Sequence, residues 1–122
     1  MDENSGNFKP EALELRTRRF AKSVREFVRK LPKTICNMED AKQLVRSSGS
    51  VAANYIEANE AISKKDFALR IKYCRKEAKE SHLWLDLLDL GENAATESTR
   101  SALRQEATEL KLIFSAIIRK TE

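Results

Sequence analysis

The sequence predicts an all-α protein, an antiparallel up-down-up-down four-helix bundle, and three observations carry that prediction. Apolar residues recur at alternating spacings of three and four through four separate segments, and no stretch of period two competes with them. The 122 residues contain only 3 Gly and 2 Pro against 41% hydrophobic and 34% charged residues, the composition of a helix-rich chain. The connections between segments are short, which makes successive helices antiparallel neighbours. At this length one domain with a single core is expected, spanning residues 10–122 behind a disordered tail at 1–9.

Pro10 suits the first turn of a helix, where its missing N–H costs nothing. From there Leu13, Thr17, Phe20, Val24, Phe27 and Leu31 mark one face, and Pro32 ends it. Asn37 is the expected N-cap of the second helix, with Glu39 and Asp40 near the positive end of the helix dipole. The apolar track that follows, Ala41, Leu44, Ser48, Val51, Tyr55 and Ile62, is weakened by small residues. Ser63 with Asp66 resembles a capping box, so the second helix should end near Ile62 and the third begin near Lys64. Phe67, Ile71, Cys74, Ala78, Ser81, Leu85 and Leu88 then hold a strict four-three alternation, with Gly91 expected as the C′ stop. Thr96 or Ser98 is the expected cap of the fourth helix, whose track is Leu103, Ala107, Leu110, Phe114 and Ile117.

In a tight antiparallel hairpin, residues that face each other have numbers summing to about twice the turn position. Around Ile62–Ser63 this sets Arg46 opposite Glu80, Ser50 and Asn54 near Glu77 and Lys72, and Glu57 opposite Arg70. These residues are expected to form a partly buried polar ladder along the seam between the second and third helices. Such a ladder fixes register at some cost in stability. Ser47, Ser48, Gly49, Ser50, Ala52 and Ala53 are small enough to let another helix come closer than the usual separation.

The same stretch, RSSGSVAANYIEANE, excludes two enzymatic readings. A phosphate loop needs several glycines followed by Lys and Ser or Thr, and this run has one glycine and no lysine. A nucleophile elbow needs glycines on both sides of the serine, and the second is absent. The single histidine, His82, has no Cys or His three or four residues away, so it is expected to be structural rather than a metal ligand. Glu77 and Glu80 pair two carboxylates, but their expected partners are basic side chains, which suits them poorly to acid catalysis. No catalytic residue, metal site, cofactor or small-molecule substrate is expected.

Cys36 and Cys74 lie far apart and outside any metal-ligand spacing, so both are expected as free thiols in a cytoplasmic protein. No apolar run approaches the roughly 20 residues that span a bilayer, and the start MDENSGN lacks the character of a signal peptide. The formal net charge of +4 is uneven. Residues 1–37 hold nine Lys and Arg against five Asp and Glu, whereas residues 92–122 hold five of each. Arg18, Lys22, Arg25 and Arg29 form a stripe opposite the apolar track of the first helix, and Glu26 is the only acid between Arg16 and Lys33. Lys65, Lys72, Lys76 and Lys79 form a second stripe on the third helix. These eight residues are the candidate nucleic-acid contacts, directed at the phosphate backbone and hence strongly salt dependent.

Residues 45–88 carry a more specific pattern. Arg46, Ser50, Ala53, Asn54 and Glu57 on the second helix, followed by Asp66, Phe67, Arg70, Glu77, Glu80, Ser81, Trp84 and Leu85 on the third, resemble the 23S ribosomal RNA intervening-sequence proteins. The resemblance implies a small, non-enzymatic bacterial four-helix-bundle protein, and membership does not imply a ribosomal subunit. That family is also similar, at the level of fold, to the accessory protein of diversity-generating retroelements, a pentameric barrel of bundles whose basic surface contacts a reverse transcriptase and nucleic acid. That similarity implies a homopentamer with an RNA, DNA or nucleoprotein partner and no membrane association. The alternative expectation is a protein-protein interaction scaffold without direct nucleic-acid contact.

Overall fold

The computed structural model describes residues 9–122 and contains four α-helices: α1 (Pro10–Val28), α2 (Ile35–Asn59), α3 (Lys64–Leu87) and α4 (Ala94–Thr121). Of the expected tail at 1–9, only Lys9 falls within the described residues. Each helix packs on its sequence neighbours, and α4 closes the bundle against α1. The order of the contacts establishes the antiparallel arrangement. Along α2 and α3, Asn37 meets Asp89, Arg46 meets Glu80, Val51 meets Cys74, and Asn54 meets Arg70. Arg25 reaches Val45 while Asn59 reaches Glu14, so α1 and α2 also run in opposite directions.

The apolar tracks become the core. Leu13, Thr17, Phe20, Val24, Phe27 and Leu31 are all buried, as are Leu44, Val51 and Tyr55 of α2 and Ile71, Cys74, Ala78, Leu85 and Leu88 of the third track. Tyr55 crosses the centre of the bundle to Phe114, with ring centroids 6.1 Å apart at 43°, a tilted aromatic pairing. Complete burial of a Leu, Ile or Phe side chain stabilises the fold by roughly 1.5–3 kcal/mol, and Phe27, Leu44, Ile71, Leu85, Leu110 and Phe114 all reach it.

The helix ends differ from expectation at several points. Thr34, not Asn37, caps α2: its side chain accepts the Asn37 backbone N–H at 3.1 Å. Pro32 leaves Thr34 in extended backbone two residues later, and Asn37 is claimed by other partners. The helix α2 ends at Asn59, so Ile62 lies in the connection and is 96% exposed instead of packed. Ser63 caps α3 as expected, accepting from the Asp66 N–H at 3.0 Å. Gly91 is not the C′ residue of α3, because the chain turns extended already at Leu88. Its φ of +66° instead serves the turn before α4, a conformation that favours glycine. Asn93 caps α4 in place of Thr96 or Ser98, and Ile118 takes the fully inward position expected of Ile117.

Asn37 closes one end of the α2–α3 seam. Its Nδ2 donates to Pro32 O at 2.9 Å and Asp89 O at 2.7 Å, and its Oδ1 accepts from Asp89 N–H at 2.9 Å. The residue is 2% exposed, so a side chain that looked like a surface cap is a buried clasp between α2 and the α3–α4 connection. Arg100 secures the same corner from α4, donating to the carbonyls of Leu85 at 3.2 Å and Leu88 at 2.6 Å. Those are carbonyls the end of α3 leaves without helical partners.

Candidate nucleic-acid interface

Burial of the Leu13–Leu31 track fixes the rotation of α1, and the opposite side is thereby turned to solvent. Arg18, Lys22 and Arg29 are exposed there, joined by Arg19 and Lys30. Among the described residues, none of the five meets a carboxylate within ion-pair distance. Arg25 leaves the stripe. Its Nη1 donates to Ala21 O at 3.0 Å and its Nη2 to Val45 O at 3.4 Å. The guanidinium sits where Gly49 has no side chain, 3.2 Å from the position a Cβ would take. The gap in α2 thus admits an arginine from α1, and that cation is spent on the α1–α2 seam.

On α3, Lys65, Lys72, Lys76 and Lys79 are all exposed. Helical spacing puts Leu69, Leu83 and Leu87 on the same side, with Tyr73 at its margin, and all four are 39–52% exposed. The face is therefore basic and apolar at once, unlike that of α1, where Leu15 is the only large apolar residue exposed.

The polar seam between α2 and α3 has a different composition from the expected ladder. Arg46 Nη2 bridges two carboxylates, Glu77 at 3.2 Å and Glu80 at 3.1 Å. Glu77 is nearly enclosed, so this is a partly buried pair whose removal on one side would strand a charge. Asn54 accepts from Arg70 at 3.5 Å and donates to the Ser50 carbonyl at 2.9 Å. Glu57 does not meet Arg70: it is exposed, and Arg70 turns along its own helix to Asp66 at 3.9 Å. Lys72 points outward and Ser50 contributes only its backbone.

Three polar contacts lie outside that expectation. Ser47 and Ser81, both fully buried, place their hydroxyl oxygens 2.8 Å apart on the α2–α3 seam. The hairpin rule applied to Ser47, a position beside the apolar track, would have paired them. Arg16 forks onto Glu106, Nε to Oε2 at 2.7 Å and Nη2 to Oε1 at 2.8 Å, and reaches Glu109 at 2.7 Å. That arrangement closes α4 onto α1 and, through the Glu106 hydrogen bonds first, raises the arginine's already high pKa. Asp86 accepts from Arg104 at 2.8 Å and lies 3.3 Å from His82 Nδ1.

No cluster of His, Cys, Asp or Glu among the described residues is arranged to hold a metal ion, and no helix there is long and apolar enough to cross a membrane. Both thiols are free. Cys36 is exposed and Cys74 is buried; burial pushes the Cys74 thiol up to about 12, which removes it as a nucleophile at neutral pH.

The sequence profile described as 23S rRNA-intervening sequence protein matches residues 14–116, nearly all of the bundle. The chain belongs to that family. The matched region of this intervening-sequence protein includes the α1 stripe, the α2–α3 seam and the α3 face. A crystal structure of a protein with unknown function from the S23 ribosomal protein family of Bacteroides thetaiotaomicron is similar to it, with a TM-score of 0.73 and 28% sequence identity. The likeness covers 86% of this chain and 96% of that one. No curated protein matches the sequence.

Proposed function

We propose that this intervening-sequence protein is a non-enzymatic homo-oligomer that binds RNA or DNA, alone or within a nucleoprotein, through the basic faces of α1 and α3. One observation carries the reading. Arg18, Lys22 and Arg29 on α1 and Lys65, Lys72, Lys76 and Lys79 on α3 are exposed, and among the described residues none meets a carboxylate within ion-pair distance. An ordinary solvated face interleaves both signs, whereas a run of unneutralised cations releases counterions when it meets phosphates. A homopentamer is the assembly we favour, on the similarity to the retroelement accessory protein. Repeating the α1 face around a ring multiplies weak contacts on one strand.

The exposed Leu69, Tyr73, Leu83 and Leu87 favour a second reading, in which the α3 side meets another protein and there is no direct nucleic-acid contact. Apolar side chains grouped on one helix face suit a protein interface better than a phosphate backbone. A pull-down with the intact oligomer, with and without nuclease treatment, separates the two. Loss of the partners on nuclease treatment supports the nucleic-acid reading, and their retention supports the scaffold.

A further inference from the structure

We infer that the groove between α3 and α4 is a phosphate-binding site formed by Lys79, His82, Thr108 and Lys111. Only its natural ligand, a nucleic-acid backbone, rests on the function proposed above; the site itself follows from the residues that line the groove.

The groove has a volume of about 480 Å³ and is floored by short side chains where the two helices meet, Ala78 from α3 and Ala107 from α4. Both alanines are buried, so the depression comes from missing side-chain volume and not from separated helices. Leu83 adds an apolar wall, and the remaining lining is polar: Lys79, Glu80, His82 and Asp86 from α3, Thr108 and Lys111 from α4.

The two acids are already committed. Glu80 is taken by Arg46 at 3.1 Å, reaching across from α2. Asp86 accepts from Arg104 at 2.8 Å and faces His82 Nδ1 at 3.3 Å, and Arg104 also lies 3.8 Å from Glu97. Each acid is therefore already engaged by an arginine outside the groove lining, Arg46 being shared with Glu77 and Arg104 with Glu97. Lys79 and Lys111 meet no carboxylate within ion-pair distance among the described residues. Asp86 lies beside Nδ1 of the imidazole, so Nε2 is the nitrogen left for a ligand. Two ammonium groups, an imidazole nitrogen and a hydroxyl above an apolar floor match a phosphate oxygen cluster with a sugar or base beside it. Of these four residues, only Lys79 belongs to a surface stripe.

His82 is the single histidine of the chain, so its ring proton signals can be followed by NMR without assignment of any other residue. Inorganic phosphate is titrated into the intact protein at fixed pH, with chloride holding the ionic strength. The expected result is a saturable shift of the His82 signals that is lost in Lys79→Ala/Lys111→Ala and kept in Lys64→Ala/Lys120→Ala, which changes two exposed lysines outside the groove and the basic faces. A shift that chloride reproduces, or that survives loss of Lys79 and Lys111, overturns the site. A second arm uses a 12-nucleotide single-stranded RNA. At about 0.7 per phosphate neutralised on a single strand, removing Lys79 and Lys111 lowers the slope of log Kobs against log salt by about 1.4. If phosphate moves His82 but the RNA does not bind, the groove stands as a site for free phosphate and the nucleic-acid reading falls. If the RNA binds with unchanged slope in Lys79→Ala/Lys111→Ala and leaves His82 unmoved, the groove inference falls and the nucleic-acid reading stands.

Discussion

Ser47 and Ser81 hold their hydroxyl oxygens 2.8 Å apart in the dry interior of the α2–α3 seam, and each has a backbone acceptor of its own. With Ser81 Oγ donating to Glu77 O at 2.9 Å, Ser47 Oγ gives its one proton to Ser81 Oγ and has Leu44 O at 3.3 Å as its alternative acceptor. A single Ser47→Ala or Ser81→Ala change therefore leaves the surviving hydroxyl satisfied and should cost about 1 kcal/mol. The double change should cost less than the singles added, as read by urea unfolding. Strict additivity would mean that the hydroxyls do not interact. Ser47→Leu, which forces the helices apart, should cost about 3 kcal/mol.

Asn37 supplies two donors and one acceptor to the corner where α2 meets the α3–α4 connection. Asn37→Ala should destabilise by about 3 kcal/mol, since it leaves backbone groups without partners. Asn37→Asp should be no better, because a carboxylate cannot donate to the two carbonyls. Amide exchange at Asp89 should quicken in both variants, and unchanged protection there would refute the clasp.

The two cysteines should separate cleanly by reactivity. Cys36 is exposed on the first turn of α2, while Cys74 is buried beside the Val51 carbonyl with its thiol pushed up to about 12. A thiol reagent at neutral pH should count one fast group in the native protein and two in denaturant. Two fast thiols in the folded state would show that the α2–α3 seam opens readily.

Acid should loosen the junction of α1 with α4. The Gln105 side chain and then Arg16 hold the Glu109 carboxyl below its ordinary 4.5, and Arg100 does the same for Glu97. A carboxyl depressed in the folded state stabilises above its unfolded value, and that contribution is lost as pH falls through the lower folded value. Tm should therefore be flat down to about pH 4.5 and fall below it, and Arg16→Ala should make the acid-side fall shallower. An unchanged slope in that variant would show that the pair adds nothing to stability, which is the usual result for exposed ion pairs.

The core was legible in the sequence because each of its residues needs only its own helix to be placed: Leu13 through Leu31, and Ile71 through Leu88, follow from spacing alone. The cap of α2 was not, unlike Ser63 on α3, since Thr34 and Asn37 are both competent N-caps and the choice depends on Asp89, more than fifty positions away. Ile62 continued an apolar rhythm, but the chain had to turn there, and a turn outranks one side chain's burial. Arg46 with Glu80 was readable because hairpin register constrains it, while Glu57 and Arg70 shared that register without the reach to keep it. The α3–α4 groove was invisible for a different reason. It is made of two alanines on separate helices, with one acid engaged from α2 and the other from α4, and no local pattern encodes that.

Whether unneutralised cations on the outer surface meet a nucleic-acid backbone is decided most directly on α1, because its face lacks the exposed leucines of α3. The deciding measurement is fluorescence anisotropy of a 12-nucleotide single-stranded RNA on the intact protein across a salt series, for the native protein and for Arg18→Glu/Lys22→Glu/Arg29→Glu. Binding should weaken steeply with salt in the native protein, and the slope should be smaller by about 2 in the variant, at about 0.7 for each phosphate no longer neutralised. Binding that ignores salt, or no binding by the folded native protein, would contradict the proposed function.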